Sequence, residues 1–468
     1  MMNKREHNRS GTPGFFQDLF LRKSFLFTTI VLMTAAMLSI IQTPSVSAAE
    51  SPVFRSVLDN GVVLLAKPND HKDRDIVAIS VVLKLSVFDE TDQKVGIRTM
   101  LADLIMERIN NERASSGIRL TELMGVISGT ETTPDYVIFN FVTTTRHYRK
   151  VLELMAKSIT TTNFDESLFS REKKAFTDAV KDGKGGFSAI YQIFLQVFYK
   201  YHPYKASEEI NAKGLEKLEK SKLEEFMKSK LSADRIVIGI AGNINYQEIK
   251  TLAENYFSGV NAPRKSSRVE VQWEPKATEK EVFLSSLSQM AYLLIGLPAP
   301  SYSSPDYPAM KVLCALLGEG LNSRLWVELR EKRGLAYELG SFFPDLEGPS
   351  HMLIYVISQP QNVIQSRRLI LSELEKLKNS YVLDRELTDA KAKINGTYLL
   401  ARESSKGQAS HMAISEVIGG KYSLDTTMQK RLEEVSSADI RRVVNTYFEE
   451  TTMLVIRPPG AFYIDWFR

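Results

Sequence analysis

The two halves of the chain repeat one order of predicted elements. Residues 222–241 have the apolar spacing of a helix followed by a β-branched strand, and residues 439–458 show the same order. Generic α+β patterning can produce such a match, but two similar domains in tandem explain it most economically. The apolar residues in equivalent places are Phe226 and Val443, Leu231 and Phe448, and Ile236 and Met453. The repeat therefore predicts an α+β fold built from two tandem homologous domains.

A stretch without regular patterning separates the two halves. With 468 residues, of which 43% are hydrophobic and 25% charged, the chain is long enough for more than one domain. Residues 258–279 contain two prolines and a basic, serine-containing cluster, which are typical of a linker. We therefore predict an N-terminal domain over residues 50–257, a linker over 258–279 and a C-terminal domain over 280–468.

The N-terminus has the three regions of a secretory signal peptide. Basic residues are scattered over Lys4–Lys23, the apolar run Ser24–Ile41 follows, and small residues come next. This order predicts that residues 1–49 are a signal peptide cleaved after Ala48 or Ala49. The apolar run is also close to the length of a membrane-spanning helix, so an uncleaved anchor is the alternative. Either outcome predicts a periplasmic or secreted protein.

Charge and cysteine content exclude two further classes. The formal charge is +4, from 60 basic and 56 acidic residues, and so near-neutral a balance gives no reason to expect a nucleic-acid partner. The single cysteine, Cys314, lies in an apolar stretch, so an internal disulfide is excluded and we expect a buried thiol. The fold must therefore be held together by its core.

Hairpins and helices alternate in the first half. The Asn60–Gly61 dipeptide between β-branched segments is typical of a tight hairpin turn. The predicted strands are Asp75–Glu90, Tyr136–Thr145 and Asp234–Ala241, and the predicted helices are Gly96–Arg108, Tyr148–Thr162 and Phe164–Lys184. The second half repeats strands, a glycine-terminated helix, a further strand and long helices. Both halves are therefore mixed in composition, as the tandem arrangement requires.

Several motifs together resemble the insulinase-like family of zinc metallopeptidases, the group that includes pitrilysin and the mitochondrial processing peptidases. They include LDNG at Leu58–Gly61, HPY at His202–Tyr204, AGNINYQEI at Ala241–Ile249 and LGEGLNSRLWVELREKRGLAY at Leu317–Tyr337. The resemblance extends from about Phe54 to Pro459. It implies two homologous α+β domains, each a mixed, mainly antiparallel sheet covered by helices, which form a clamshell around a chamber.

The family's zinc motif is degenerate in this chain. Its H-x-x-E-H pattern lies on the helix that corresponds to Gly96–Arg108, and there the two histidines and the general-base glutamate correspond to Thr99, Asp103 and Ala102 respectively. The third zinc ligand lies seven residues after an Arg–Glu pair. Since Arg171 and Glu172 match that pair, the ligand position is Ala179. The resemblance therefore implies a family member that lacks the zinc motif.

These replacements are decisive for the chemistry. A catalytic zinc needs about three protein ligands and a bound water, with a carboxylate near that water to take its proton. No two of the six histidines stand within one helical turn, which excludes a displaced copy of the motif. They are His7, His71, His147, His202, His351 and His411. We therefore expect no cofactor in this chain, and we expect His202 to be structural.

A second family motif is present. The resemblance implies that Arg330 and Tyr337, seven positions apart, hold a substrate backbone carbonyl near the zinc of a partner site. Ser323 can cap the helix that carries Arg330, and Gly334 can end it. Both side chains are donors that can stabilise a carbonyl oxygen as it gains charge. The alternative is that Arg330 is a surface charge and Tyr337 a core aromatic.

Three functional hypotheses follow. The leading one is a non-catalytic, substrate-binding subunit of a heterodimeric zinc metallopeptidase, inactive alone, which contributes Arg330, Tyr337 and an edge strand for an extended peptide. In this hypothesis a homologous H-x-x-E-H chain is the partner and binds the zinc. The second is a structural or peptide-binding protein without a peptidase role. The third is a peptidase with an atypical metal site that uses Asp103.

Overall fold

The computed structural model describes residues 52–69, 75–90, 96–182, 186–205, 216–261, 278–283 and 289–458. The predicted signal peptide or anchor and most of the predicted linker lie outside these residues. Among the described residues, no helix has both the length and the apolar character needed to cross a membrane.

The first half forms a six-stranded mixed sheet in the order β1-β2-β6-β3-β5-β4. Only the β2–β6 pair is parallel, and the other four pairs are antiparallel. The strands are β1 Phe54–Val57, β2 Val63–Pro68, β3 Ile76–Leu83, β4 Ile127–Thr132, β5 Val137–Thr144 and β6 Ile236–Gly242. The helices are α1 Ile97–Asn111, α2 Leu120–Leu123, α3 Tyr148–Thr160, α4 Glu166–Asp182, α5 Gly186–Tyr199, α6 Lys220–Lys230 and α7 Tyr246–Phe257.

The second half forms a five-stranded mixed sheet in the order β7-β11-β8-β10-β9. Its strands are β7 Thr278–Phe283, β8 Ala291–Ala299, β9 Glu338–Phe342, β10 Ser350–Ser358 and β11 Thr452–Arg457. Its α-helices are α8 Tyr307–Gly318, α9 Val363–Asn379, α10 Asp384–Arg402, α11 Ser405–Ile418, α12 Ser423–Thr426, α13 Met428–Glu433 and α14 Ser437–Tyr447. A π-helical turn, Trp326–Glu331, precedes β9.

The internal repeat is visible in the strand order. In the first sheet, β6 follows the helix α6 and inserts between β2 and β3, parallel to β2 and antiparallel to β3. In the second sheet, β11 follows α14 and inserts between β7 and β8 with the same directions. Each half therefore closes its own sheet with its last strand. The predicted fold class, two homologous α+β domains with mainly antiparallel sheets, is confirmed.

The central strands of each sheet are buried on both faces, and a helix of the other half covers one of these faces. In β3, Val77, Ile79 and Val81 alternate toward a core that includes residues of α1 and α3. Ala78 and Val82 point the other way, into the core that contains α11 of the second half. The approach of α11 is close, because a Cβ on Gly239 of β6 would lie 2.2 Å from the carbonyl oxygen of Ala409.

The reciprocal contact places α5 of the first half on the second sheet. Ile190, Phe194 and Phe198 follow a four-residue spacing, so they share one helix face, and they are buried against β8, β10 and β11. A Cβ on Gly296 of β8 would lie 2.4 Å from the ring of Phe194. His351 of β10 lies among these rings and contacts the hydroxyls of two tyrosines of α5 at 2.9 Å. Each half therefore contributes a helix to the sheet of the other, and the described residues of both halves form one compact unit.

The HPY motif belongs to this junction. The hydroxyl of Tyr204 donates to Asp135 at 2.6 Å and accepts from the backbone N–H of Gly348 at 3.0 Å. Asp135 also accepts from the backbone N–H of Glu347 at 2.8 Å, so one buried carboxylate ties the first half to the second. His202 is buried, and burial lowers its pKa to about 4, so it is neutral at pH 7. Its surroundings agree with the structural role expected of it.

Candidate functional site

The degenerate zinc motif lies on α1, which packs against α3, α4 and the edge strand β4. The helix begins after Gly96, whose φ of 87° lies in the left-handed region that glycine adopts without strain. Thr99 and Asp103 are half-buried on this helix, whereas Ala102 is only 1% exposed. The backbone of Ala179 lies in α4. The place of the family's general base is therefore filled by a methyl group that packs in the core.

Carboxylates gather beside Asp103. Burial, followed by the charges of Glu172 and Glu107, raises the pKa of Asp103 to about 6. Arg171 lies 3.1 Å from Glu107 and 2.8 Å from Glu172, so both of those carboxylates share one cation. Asp103 is thus partly protonated near neutral pH, as expected for a carboxylate placed close to two others without a cation of its own among the described residues.

This donor set does not fit a catalytic zinc. Such a site uses about three nitrogen, sulfur or carboxylate ligands and leaves one place for water. The four family positions supply one hydroxyl, at Thr99, one carboxylate, at Asp103, and two methyl groups. Within the described part of the chain, no group of three or more His, Cys, Asp or Glu side chains is arranged to hold a metal.

A buried ion pair fixes the start of α1, and sequence reasoning did not identify it. Arg98 donates from Nε to Glu90 at 3.1 Å and from Nη1 to the carbonyl oxygens of Leu85 and Thr133 at 3.1 and 2.6 Å. Both partners of the pair are buried. A buried charge that is paired and fully hydrogen-bonded holds the backbone around it in place. The helix that would carry the zinc motif is therefore well anchored, although the motif is absent.

Arg330 and Tyr337 are brought together on the surface of the second half. Arg330 lies in the π-helical turn, where the N–H of Lys332 bonds to the carbonyl of Val327 five residues earlier. Gly334, with a φ of 62°, ends the turn as expected, and its N–H donates to the carbonyl of Arg330. The guanidinium of Arg330 then donates to the backbone carbonyl of Tyr337.

Ser323 has the backbone role of the predicted N-cap residue but not its side-chain hydrogen bond. The carbonyl of Ser323 accepts from the N–H of Val327, which is the backbone role of an N-cap residue. Its hydroxyl, however, donates to the carbonyl of Gly320 at 2.7 Å and caps no helical N–H. The same carbonyl of Gly320 also accepts from the backbone N–H of Ser323 at 3.2 Å. The helix starts where predicted, but a different hydrogen bond holds its start.

The charged side chains near Arg330 pair with one another and not with Arg330. Lys332 and Arg333 both pair with Glu328, and these two hydrogen bonds lower the pKa of the Glu328 carboxyl. Arg330 has no carboxylate partner among the described residues, and its guanidinium lies 4.5 Å above the ring centroid of Trp326. Lys332 and Arg333 are therefore neutralised by Glu328, whereas Arg330 keeps most of its five N–H donors available.

Tyr337 is not a core aromatic. Its side chain is 69% exposed, while its backbone N–H donates to the carbonyl of Ile357 at 2.8 Å and so extends the β9–β10 ladder. The side-chain amide of Asn362 donates to the carbonyl of Leu335, two residues before Tyr337, at 3.1 Å. Hydrogen bonds therefore hold the backbone around this exposed phenol.

The comparisons with known proteins agree with this fold and these motifs. Residues 217–394 match the family model described as Peptidase M16 inactive domain. The chain is 24% identical to the zinc protease PqqE of Helicobacter pylori, over 87% of this chain and 93% of that protein. It is 23% identical to the uncharacterized zinc protease YmxG of Bacillus subtilis, over 87% and 99% respectively.

Two solved structures share the fold. The crystal structure of a protease from Helicobacter pylori superposes with a TM-score of 0.78 at 21% identity and covers 87% of this chain and 100% of that one. The structure of a peptidase M16 inactive domain from Pseudomonas fluorescens superposes with a TM-score of 0.76 at 17% identity, with coverage of 88% and 99%. In sequence and in fold, the chain is thus similar to the insulinase-like M16 peptidases. The resemblance inferred from its motifs is thereby confirmed.

Proposed function

We propose that this M16 homologue is the non-catalytic, substrate-binding subunit of a heterodimeric zinc metallopeptidase that degrades or processes peptides. A homologous chain with an intact H-x-x-E-H motif supplies the zinc and the general base. This chain supplies Arg330 and Tyr337, which donate to the carbonyl next to the bond being cleaved.

One contrast carries the proposal. The positions for zinc and its base hold groups that cannot perform those roles, and Ala102 is packed into the core. At the second motif, both side chains are exposed, Arg330 donates to the backbone carbonyl of Tyr337, and Arg330 is the member of the basic cluster without a carboxylate partner in the described structure. Chance decay of a peptidase would affect both motifs alike.

An extended peptide also has a place to bind. The strand β4 is an edge of the first sheet, paired only with β5, and it runs beside α1. Its side chains alternate between exposed and half-buried along Ile127–Thr132, so its outer backbone groups can pair with an added strand. In the proposed pair, this edge holds one part of a peptide, and the partner's zinc acts on another.

Reconstitution tests the proposal. We expect this chain and its H-x-x-E-H partner to hydrolyse a peptide only together. In the pair, Arg330→Ala lowers kcat/KM by about 100-fold, the typical effect of removing one donor to a developing oxyanion. Tyr337→Phe, which removes only a hydroxyl, lowers it by about tenfold. If both variants hydrolyse peptide at the wild-type rate, the proposal is wrong.

The remaining hypotheses give different outcomes in the same experiment. A structural or peptide-binding protein forms a stable complex that shows no hydrolysis in any combination. A peptidase with an atypical metal site hydrolyses peptide without a partner, and Asp103→Asn abolishes that activity.

We further propose that the chain is exported to the periplasm, on the strength of the signal-like order in residues 1–49. Fractionation of cells that express the full chain checks this.

A further inference from the structure

We propose that Trp326 is a positioning residue for Arg330. The inference rests on the proposed function, because it concerns how this chain presents Arg330 to a substrate carbonyl. Trp326 itself touches no substrate in this account and acts through the arginine.

The first observation is the stacking geometry. The Arg330 guanidinium lies 4.5 Å from the centroid of the Trp326 ring, within the range of a cation–π contact, and tryptophan is the strongest partner for one. An indole face has no hydrogen-bond acceptor in its plane, so stacking leaves the N–H groups of the guanidinium unused. A carboxylate partner would have occupied them, as Glu328 occupies those of Arg333.

The second observation is the local helix. Leu325 and Leu329 are fully buried and fix one side of the turn in the core. Trp326 is only half-buried and packs at the margin of that core. Arg330 lies four residues after Trp326, a spacing at which helical side chains are neighbours, so this turn places the cation over the aromatic face.

The third observation is the partner that Arg330 has in the free chain. Its guanidinium donates to the carbonyl of Tyr337, the same chemical group that a peptide substrate offers. A substrate carbonyl can therefore replace this internal acceptor without a change in the donor chemistry. During that exchange the stack on Trp326 keeps the guanidinium plane at the surface, and the charge does not turn toward the solvent or toward Glu328.

The test is a double-mutant cycle in the reconstituted pair. We expect Trp326→Leu, which keeps an apolar side chain but removes the π face, to lower kcat by about fivefold with little change in KM. Trp326→Phe keeps a ring and retains activity within about twofold. In the Arg330→Ala background, Trp326→Leu has no further effect, because its contribution passes through the arginine.

The outcomes separate this inference from the proposed function. If Trp326→Leu lowers kcat equally with and without Arg330, the tryptophan is only structural and the inference is wrong. The inference is also wrong if Trp326→Leu has wild-type activity while Arg330→Ala is impaired, a result that leaves the proposed function intact. If Arg330→Ala itself has no effect, both fail. Thermal unfolding of each variant, with activity normalised to folded protein, keeps the comparison valid for a destabilised one.

Discussion

The α1–α4 face and the Trp326–Tyr337 segment differ in how their charged side chains are paired. On the first, Asp103 lies near two further carboxylates that share the single cation Arg171, and the pKa of Asp103 is raised. On the second, Glu328 takes up two neighbouring cations and leaves Arg330 free of carboxylates among the described residues. The first face therefore holds more carboxylate charge than its cation balances, whereas the second exposes one guanidinium that no carboxylate balances among the described residues.

Restoring the family's general base at Ala102 is expected to have the largest effect. The methyl group is 1% exposed, so Ala102→Glu forces a carboxylate into a packed core and lowers the free energy of unfolding by about 3–5 kcal/mol. Chemical denaturation measures the change. The matched control is Thr99→Glu, one turn earlier and half-buried, which costs less than about 1 kcal/mol. Equal stabilities for Ala102→Glu and wild type would show that this face still has room for a catalytic base.

The charge on Asp103 predicts a pH-dependent stability. Its folded-state pKa of about 6 lies above the ordinary value of 3.8, so ionisation disfavours the folded state, and stability falls as the pH rises through 6. Asp103→Asn should therefore raise the free energy of unfolding by about 2 kcal/mol at pH 8 and by almost nothing at pH 4. Denaturation at both pH values checks this. A gain of equal size at the two pH values would contradict the raised pKa.

The smallest expected effects lie beside Arg330. Because Lys332 and Arg333 are already paired with Glu328, replacing either by alanine should change kcat/KM of the pair by less than about twofold. These variants are the matched controls for Arg330→Ala, since each removes one cation from the same turn. A loss comparable to that of Arg330→Ala would mean that net positive charge, and not one placed guanidinium, binds the substrate.

Local patterning predicted much of the chain. The helix predicted over Gly96–Arg108 is observed over Ile97–Asn111, and the charged helix predicted from Phe164 to Lys184 is observed over Glu166–Asp182. The strand predicted to reach Glu90 ends at Leu83, because Ser86 and Asp89 form a capped 3₁₀ turn. Periodicity identifies such elements, but a short polar turn inside an apolar run interrupts a strand without changing the pattern.

The relation between the halves could not be predicted. The helix α5 was not identified, although Ile190, Phe194 and Phe198 show helical spacing, because apolar residues on its other sides obscure the period. Nothing in the sequence indicates that this face packs on the sheet of the other half. The edge strand β4 was also missed, since its residues are mostly small and polar. Burial against a distant segment is a tertiary property that local patterns do not encode.

Part of the candidate site could be predicted from the sequence and part could not. The motif resemblance located Arg330, Tyr337 and the degenerate zinc positions, because these depend on residue identity at fixed spacing. The role of Trp326 was not predicted, since an apolar residue at helical spacing is more often part of the core than a partner for a cation. A tryptophan four residues before a motif arginine was the available signal.

The zinc content of the separate and combined chains tests the central claim most directly. The account predicts, by metal analysis after purification in zinc-containing buffer, no stoichiometric zinc in this chain alone and one zinc per heterodimer with its H-x-x-E-H partner. The content of one zinc per heterodimer should persist when Asp103 and Glu172 of this chain are replaced by their amides. One zinc bound to this chain alone, and lost in Asp103→Asn, would contradict the account.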